Sequence, residues 1–184
     1  MEYGISPDNV RSRLLFSGLR ELEAHGVTDF SLRRVAQDAG VSCAAPYRHF
    51  KDKDELIASV IGFVLEGWTI LCSSIAEIFS DDSKARLTEL SVSGFRFWIA
   101  NGNFKTVITA CSSSVTDEGP LSDFNKPIIS AARDYANESG MLDSDRLAFK
   151  ILSMIYGAVM LVDGGCESAD TAADNLRYYL ENAL

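Results

Sequence analysis

The chain has 184 residues, a net charge of −9, an apolar share of 47% and a mean hydropathy of +0.04, the profile of a soluble globular protein. That length holds one domain with a full core, or a small domain beside a larger one. The longest nearly uninterrupted apolar run, Ile151 to Val162, is shorter than the roughly 20 residues a bilayer-spanning helix needs. The N-terminus shows neither a basic nor an apolar signal region, so a cytoplasmic protein without a membrane anchor is expected.

Taken in order, the chain reads as helices. Ser6-Pro7 has the form of a helix cap followed by Pro at the first helical position, and Val10, Leu14, Leu15, Leu19 and Leu22 make one apolar stripe ending near His25-Gly26. Arg11 and Arg13 fall on the other side, either solvated or touching a phosphate; His25 suits a helix C-terminus through the dipole. Ser31 caps a short second helix with Leu32, Val35, Ala36 and Ala39 on one side, and Gly40 stands where a left-handed residue ends it. Ser42 is expected to cap a third helix over 43–50. Two short helices across a Gly-containing turn form the helix-turn-helix pattern, whose second helix enters the DNA major groove.

Asp52 with Glu55 then opens a long helix reaching about Ser80. Further helices are expected over 83–101, 103–113, roughly 121–138, 143–162 and 168–184, with breaks at Asn101-Gly102-Asn103, Asp117 to Pro120 and Gly164-Gly165. Pro127 either starts or kinks the helix that contains it. No alternating strand pattern occurs. The expected architecture is all-α, about nine helices, with a three-helix head at 1–53 and a larger helical domain at 54–184.

The segment Ser31-Leu-Arg-Arg-Val-Ala-Gln-Asp-Ala-Gly-Val-Ser-Cys-Ala-Ala-Pro-Tyr-Arg-His-Phe50, followed by Lys53 and Leu56, resembles the DNA-binding segment of the tetracycline-repressor (TetR) family. The shared pattern is a hydroxyl residue, Val-Ala, Ala-Gly-Val-Ser, Tyr-x-His-Phe and Lys-x-x-Leu in register, over about residues 8–60. Ala44, where Gly is frequent, and Pro46, where a larger apolar residue is usual, depart from it, and Pro46 also removes a backbone donor. The stretch at Tyr156-Gly157 resembles in part a subgroup with a Trp-His-Gly signature, with Tyr156 at the His position and no Trp before it.

The resemblance implies a homodimeric regulator, most simply a repressor, that a small effector releases from double-stranded operator DNA. It places Ser31, Arg33 and Lys53 at phosphates, Ser42, Cys43, Ala44 and Ala45 on the groove face, and Tyr47 and His49 at the DNA backbone. The chemistry agrees, since hydroxyls, Arg and Lys are common phosphate partners, and Arg48 can pair bidentately with guanine. Among the middle helices Phe95, Phe97, Trp98, Phe104, Tyr135 and Tyr156 are either core or lining of an effector site, for a mostly apolar or aromatic ligand. The apolar helices within 143–184 either close the core or, as the resemblance implies, pair with a second copy.

Charge divides unevenly. Residues 1–53 carry eight basic and seven acidic side chains, net +1, and the remainder nine basic and nineteen acidic, net −10. DNA affinity would therefore rest on a local patch. An alternative keeps the same fold as a dimeric small-molecule or protein-binding module that has lost DNA binding. An enzyme is disfavoured: there is no Gly-rich phosphate loop, no nucleophile elbow and no metal-ligand spacing, with His25 and His49 the sole imidazoles. No metal and no cofactor is expected, because Cys43, Cys72, Cys111 and Cys166 are widely spaced. Reduced, buried thiols are expected, Cys43 excepted.

Overall fold

A computed structural model of the chain describes residues 9–102, 105 and 119–182. The described residues contain eight helices and no strand: α1 (Val10–His25), α2 (Leu32–Asp38), α3 (Pro46–His49), α4 (Lys53–Ile78), α5 (Ser83–Ala100), α6 (Pro120–Glu138), α7 (Ser144–Asp163) and α8 (Ala169–Asn182). The helix expected over 103–113, Phe104 with it, and the Ser6-Pro7 start lie outside the described residues. Two compact units emerge, the first taking in the described chain through Glu66 and the second Gly67–Gly102 with the described residues from 119 onward.

Most ends are set by local chemistry. Asn9 caps α1 by accepting the Arg11 N–H at 3.0 Å, and the described helix starts at Val10. Ser31 caps α2; at its other end Gly40, φ 64°, turns the chain while Val41 N–H reaches the Ala36 carbonyl at 2.9 Å and Gly40 N–H that of Gln37 at 3.1 Å. That pair of bonds satisfies carbonyls the helix leaves open, and the positive φ is what a residue lacking Cβ adopts without cost. Asp52 accepts the Glu55 N–H at 2.9 Å and Glu55 reaches back to the Lys51 N–H at 2.5 Å, a reciprocal cap opening α4. Asp82 and Asp143 do the same one-way for α5 and α7, and Gly165, φ 68°, closes α7.

One expectation about helices changes. The third helix is shorter than its sequence suggests: Ser42 to Ala45 form a turn, with Ala45 N–H on the Ser42 carbonyl at 2.8 Å, and regular helix begins at Pro46. Pro46 has no N–H to offer the Ser42 carbonyl, and its fixed φ suits the first position of a helix. Pro127 sits inside α6, which starts seven residues earlier at Pro120.

In the first unit Leu14, Leu15, Leu22, Phe30, Val35, Phe50, Leu56 and Val60 are buried, and α1 packs against α2 and α3. In the second unit α5 lies against α6, α7 and α8, so Leu87, Leu90, Phe95 and Trp98 face neighbours rather than solvent. Helix α4 is long and apolar enough to cross a membrane by length and composition. Part of its apolar surface supplies cores: Leu56, Ile57, Val60 and Ile61 are buried, as are Trp68, Cys72 and Ile75, while Ile70, Leu71 and Ile78 are exposed. Burial pushes the Cys72 thiol up to about 12. Cys43 is exposed as expected; Cys166 is exposed as well, against expectation, because it stands in the turn after α7, and Cys111 lies outside the described residues.

Candidate nucleic-acid interface

The head is assembled around a turn and a four-residue helix held from below. Phe50 and Pro46 are buried, and Ala45 nearly so at 9% exposure. With these underneath, Ser42, Cys43, Ala44, Tyr47, Arg48 and His49 all face solvent, Tyr47 with 62% of its surface exposed. Small side chains at 42–44 leave the backbone close to the surface, and three hydrogen-bonding side chains follow within one turn. This is the geometry a DNA backbone and groove edge can approach.

Flanking residues differ in how free they are. Ser31 spends its hydroxyl on the Arg34 N–H at 3.4 Å. Arg33 is exposed, and no carboxylate among the described residues pairs with it. Lys53 is half-buried, its Nζ donating to the Thr28 carbonyl at 3.4 Å and lying 6.0 Å from the Phe30 ring centroid. The structure also brings in a cation that the sequence left undecided: Arg11 of α1 lies over the Phe50 ring at 5.4 Å. Nothing in the local pattern signals that approach, since the two residues are 39 positions apart.

Beneath the head, Glu21 is buried at 7% exposure and accepts the Ser31 N–H at 2.9 Å and Arg34 Nε–H at 2.8 Å. Arg34 also bonds the Asp29 carbonyl and lies 3.3 Å from the Asp29 carboxylate. The Glu21 hydrogen bond, outweighing desolvation, raises the Arg34 pKa further above its ordinary value. His25 stands 3.8 Å from both the Glu21 and Asp29 carboxylates. Arg20 pairs with Asp38, and that hydrogen bond is the main cause that holds the Asp38 carboxyl below its ordinary value.

In the second unit the aromatics form a packed cluster. Phe124 stacks on Trp68 with centroids 4.6 Å apart and meets Trp98 at 4.5 Å; Phe97 is 5.3 Å away. The Trp68 indole donates to the Phe124 carbonyl at 2.9 Å. Tyr156 lies 6.1 Å from Trp98 and donates its hydroxyl to Asn125 Oδ1 at 2.9 Å; burial pushes that hydroxyl's pKa up. Trp98 Nε1–H is buried and meets no acceptor in full hydrogen-bond geometry among the described residues, while the indole acts on the Tyr156 hydroxyl and lowers its pKa against the effect of burial. Of the sequence candidates the structure thus brings Trp98 and Tyr156 together, keeps Phe95 fully buried on α5, and leaves Tyr135 half-buried on α6. Phe97 joins the cluster, and Trp68, Phe124 and Asn125 belong to it without any signal in the sequence, because they come from separate stretches of the chain.

An apolar strip remains uncovered on the last two helices. Phe149 and Met160 are each 75% exposed and Leu161, Tyr178 and Tyr179 more than half. Between α7 and α8 runs a groove lined by Ser153, Met154, Gly157, Ala158, Leu161 and Tyr179, among others.

Comparison with known proteins fits this geometry. Residues 14–60 match the family model described as bacterial regulatory proteins, tetR family. No curated protein matches the chain. Among solved structures, a protein with unknown function from Rhodococcus sp. RHA1 is similar at 22% identity and TM-score 0.73, over 100% of this chain and 99% of that one. A TetR transcription regulator from Haloarcula marismortui is similar at 20% identity and TM-score 0.69, over 94% and 96%. The transcriptional regulator FadR from Bacillus subtilis, solved in complex with stearoyl-CoA, is similar at 14% identity and TM-score 0.68, over 94% and 98%. At these identities the structures share the fold.

Proposed function

We propose, from the premise that residues 14–60 are a TetR-family N-terminal segment in a chain with the fold of TetR-family regulators, that this protein is a ligand-released repressor. It acts as a homodimer. Its head, 1–53, contacts operator DNA, and 54–184 takes up the effector and the second copy. The observation that carries this is the exposure of Ser42, Cys43, Ala44, Tyr47, Arg48 and His49 on a capped and internally braced turn.

Roles follow from placement. Ser42, Cys43 and Ala44 form the groove face, with Ala45 supporting them from beneath. Arg48 is the base reader, and Tyr47 and His49 contact the backbone. Arg33 and Lys53 serve phosphates, with Ser31 positioning α2. Few of these can read bases bidentately, so methyl contacts and DNA shape supply much of the specificity. Dimerisation uses the uncovered strip of α7 and α8, where Gly157 and Ala158 permit close approach.

The effector site involves Trp98 and Tyr156, with Phe95, Tyr135 and Phe104 as further lining. The Trp98 and Tyr156 rings, with the Tyr156 hydroxyl between Asn125 and the Trp98 indole, favour a ligand with an apolar body and one polar group. That the Bacillus subtilis neighbour was solved with stearoyl-CoA makes long-chain acyl compounds the first probes. Both tryptophans of the chain lie in this cluster, so intrinsic fluorescence reports occupancy directly.

A gel-shift with the DNA upstream of the protein's own coding region tests the proposal. Binding that falls with salt and is reversed by the fluorescence-positive ligand is expected. Absence of binding at 50 mM salt, with a folded dimer, supports the alternative of a binding module without DNA affinity, which the head's net +1 favours.

A further inference from the structure

We infer that Glu21 is a positioning residue of the head that keeps Arg34 away from phosphate and leaves Arg33 as the arginine of α2 that binds it. This inference rests on the DNA-binding proposal above.

Glu21 lies on the buried face of α1, with Leu14, Ser17 and Leu22. A leucine there would be the simplest choice, since a buried carboxylate costs free energy unless it is paired and hydrogen-bonded. One carboxylate oxygen of Glu21 carries its hydrogen bonds. That oxygen, Oε1, takes the backbone N–H of Ser31 at 2.9 Å and the Arg34 guanidinium at 2.8 Å from Nε and 2.6 Å from Nη2; Oε2 faces His25 at 3.8 Å. A single side chain of α1 thereby fixes both the cap residue of α2 and the arginine three positions into it.

The consequence is a division of labour between neighbours. Arg34 has its Nε and Nη2 committed to Glu21 and Asp29 and its charge neutralised twice over. Arg33, one residue earlier, is exposed with no carboxylate partner among the described residues. Counting arginines along α2 would credit the head with two phosphate contacts; the structure leaves one. The net +1 of residues 1–53 thus understates how selectively its cations are placed, because Arg20 and Arg34 are both held by carboxylates of the head itself.

The experiment is a salt titration of binding to the upstream duplex, with a random 30-base-pair duplex as control. The proteins are the full-length wild type, Arg33→Ala, Arg34→Ala, Glu21→Gln and Glu21→Gln/Arg34→Ala, each checked for folding by circular dichroism. Glutamine keeps an acceptor for the Ser31 N–H while removing the charge that holds Arg34. Each lost phosphate contact lowers the slope of log K against log salt by about 0.9. Arg33→Ala should lower the slope by that amount on both duplexes, and Arg34→Ala should leave it unchanged. Glu21→Gln should steepen it by up to about 0.9, tighten binding to the random duplex several-fold, and lose that gain in the double variant. A purely structural Glu21 would alter melting temperature and leave every slope alone. An Arg34→Ala slope as low as that of Arg33→Ala overturns the inference, and so does an unaltered slope in Glu21→Gln. A wild type that binds neither duplex overturns the DNA-binding proposal itself.

Discussion

Replacing Phe124 by alanine tests whether the aromatic cluster is a packed core or an open cage. The ring is fully buried, stacked on Trp68 at 4.6 Å, against Trp98 at 4.5 Å and near Phe97 at 5.3 Å. Truncating a buried Phe costs about 3–5 kcal/mol through lost transfer energy and the cavity left behind. Three adjacent rings lose edge and face contacts worth about 0.5–1.5 kcal/mol each in the best geometries, which favours the upper half of that range. The Trp68 bond to the Phe124 carbonyl is to backbone and survives the substitution. In a chain of this size about 4 kcal/mol lowers the melting temperature by roughly 8–16 °C. Phe124→Leu, which refills much of the volume, should cost about 1–2 kcal/mol. Urea and thermal melts followed by far-ultraviolet circular dichroism measure both. A loss below about 1 kcal/mol for alanine would refute the packing, and the cluster would then be open enough to hold a ligand without rearrangement.

Gly157→Phe should leave the melting of the monomer nearly unchanged, since Gly157 is exposed and a β-carbon there has nothing within 4 Å in the single chain, yet shift light-scattering mass from dimer to monomer. A dimer that survives it places the interface elsewhere. Gly40→Ala should cost about 1–2 kcal/mol in a denaturant melt, because φ is +64° there, and Gly40→Asn less. Glu89 and Arg177 join α5 to α8 through two hydrogen bonds, and the Arg177 bond holds the Glu89 carboxyl below its ordinary value. A depressed carboxylate contributes stability that is present above its unfolded pKa of about 4.3 and lost as pH falls through the folded value. Glu89→Gln should therefore cost about 0.5–1 kcal/mol at pH 7 and flatten the loss of stability below pH 4; an unchanged acid limb in pH-dependent melts removes the pair from the account.

What the sequence made legible was local. The caps at Ser31, Asp52 and Asp143 and the glycine stops at Gly40 and Gly165 need only a few adjacent residues, so the helix order follows from them. Pro46 shows how one residue overrides a cap signal: lacking an N–H, it moves the helix start past the turn that Ser42 alone marks as helical. Contacts across the chain were not legible. Glu21 and Arg34 are 13 residues apart and Trp68 and Phe124 are 56 apart, and neither pairing leaves a trace in periodicity. For the same reason the aromatic stripe could not be resolved into core and ligand surface until the rings were seen stacked. The candidate DNA contacts were legible as residue types, while which of two adjacent arginines is available was not.

The DNA and dimer proposals stand or fall together. A head whose regular recognition helix has four residues, with one obvious base-reading side chain in Arg48, reaches few base pairs alone. A body of net −10 adds repulsion from phosphate that a single head has few free cations to oppose. Two heads joined through the proposed dimer change the balance, since the second binds at an effective concentration that can approach millimolar and raises affinity by factors of about 10²–10⁴. A Gly157→Phe monomer should therefore keep its fold, and its head should keep its exposed face. It should nonetheless lose operator binding by more than the twofold expected from halving the number of heads. If instead the monomer bound as tightly as the dimer, the recognition turn would have to carry far more direct readout than its small side chains provide.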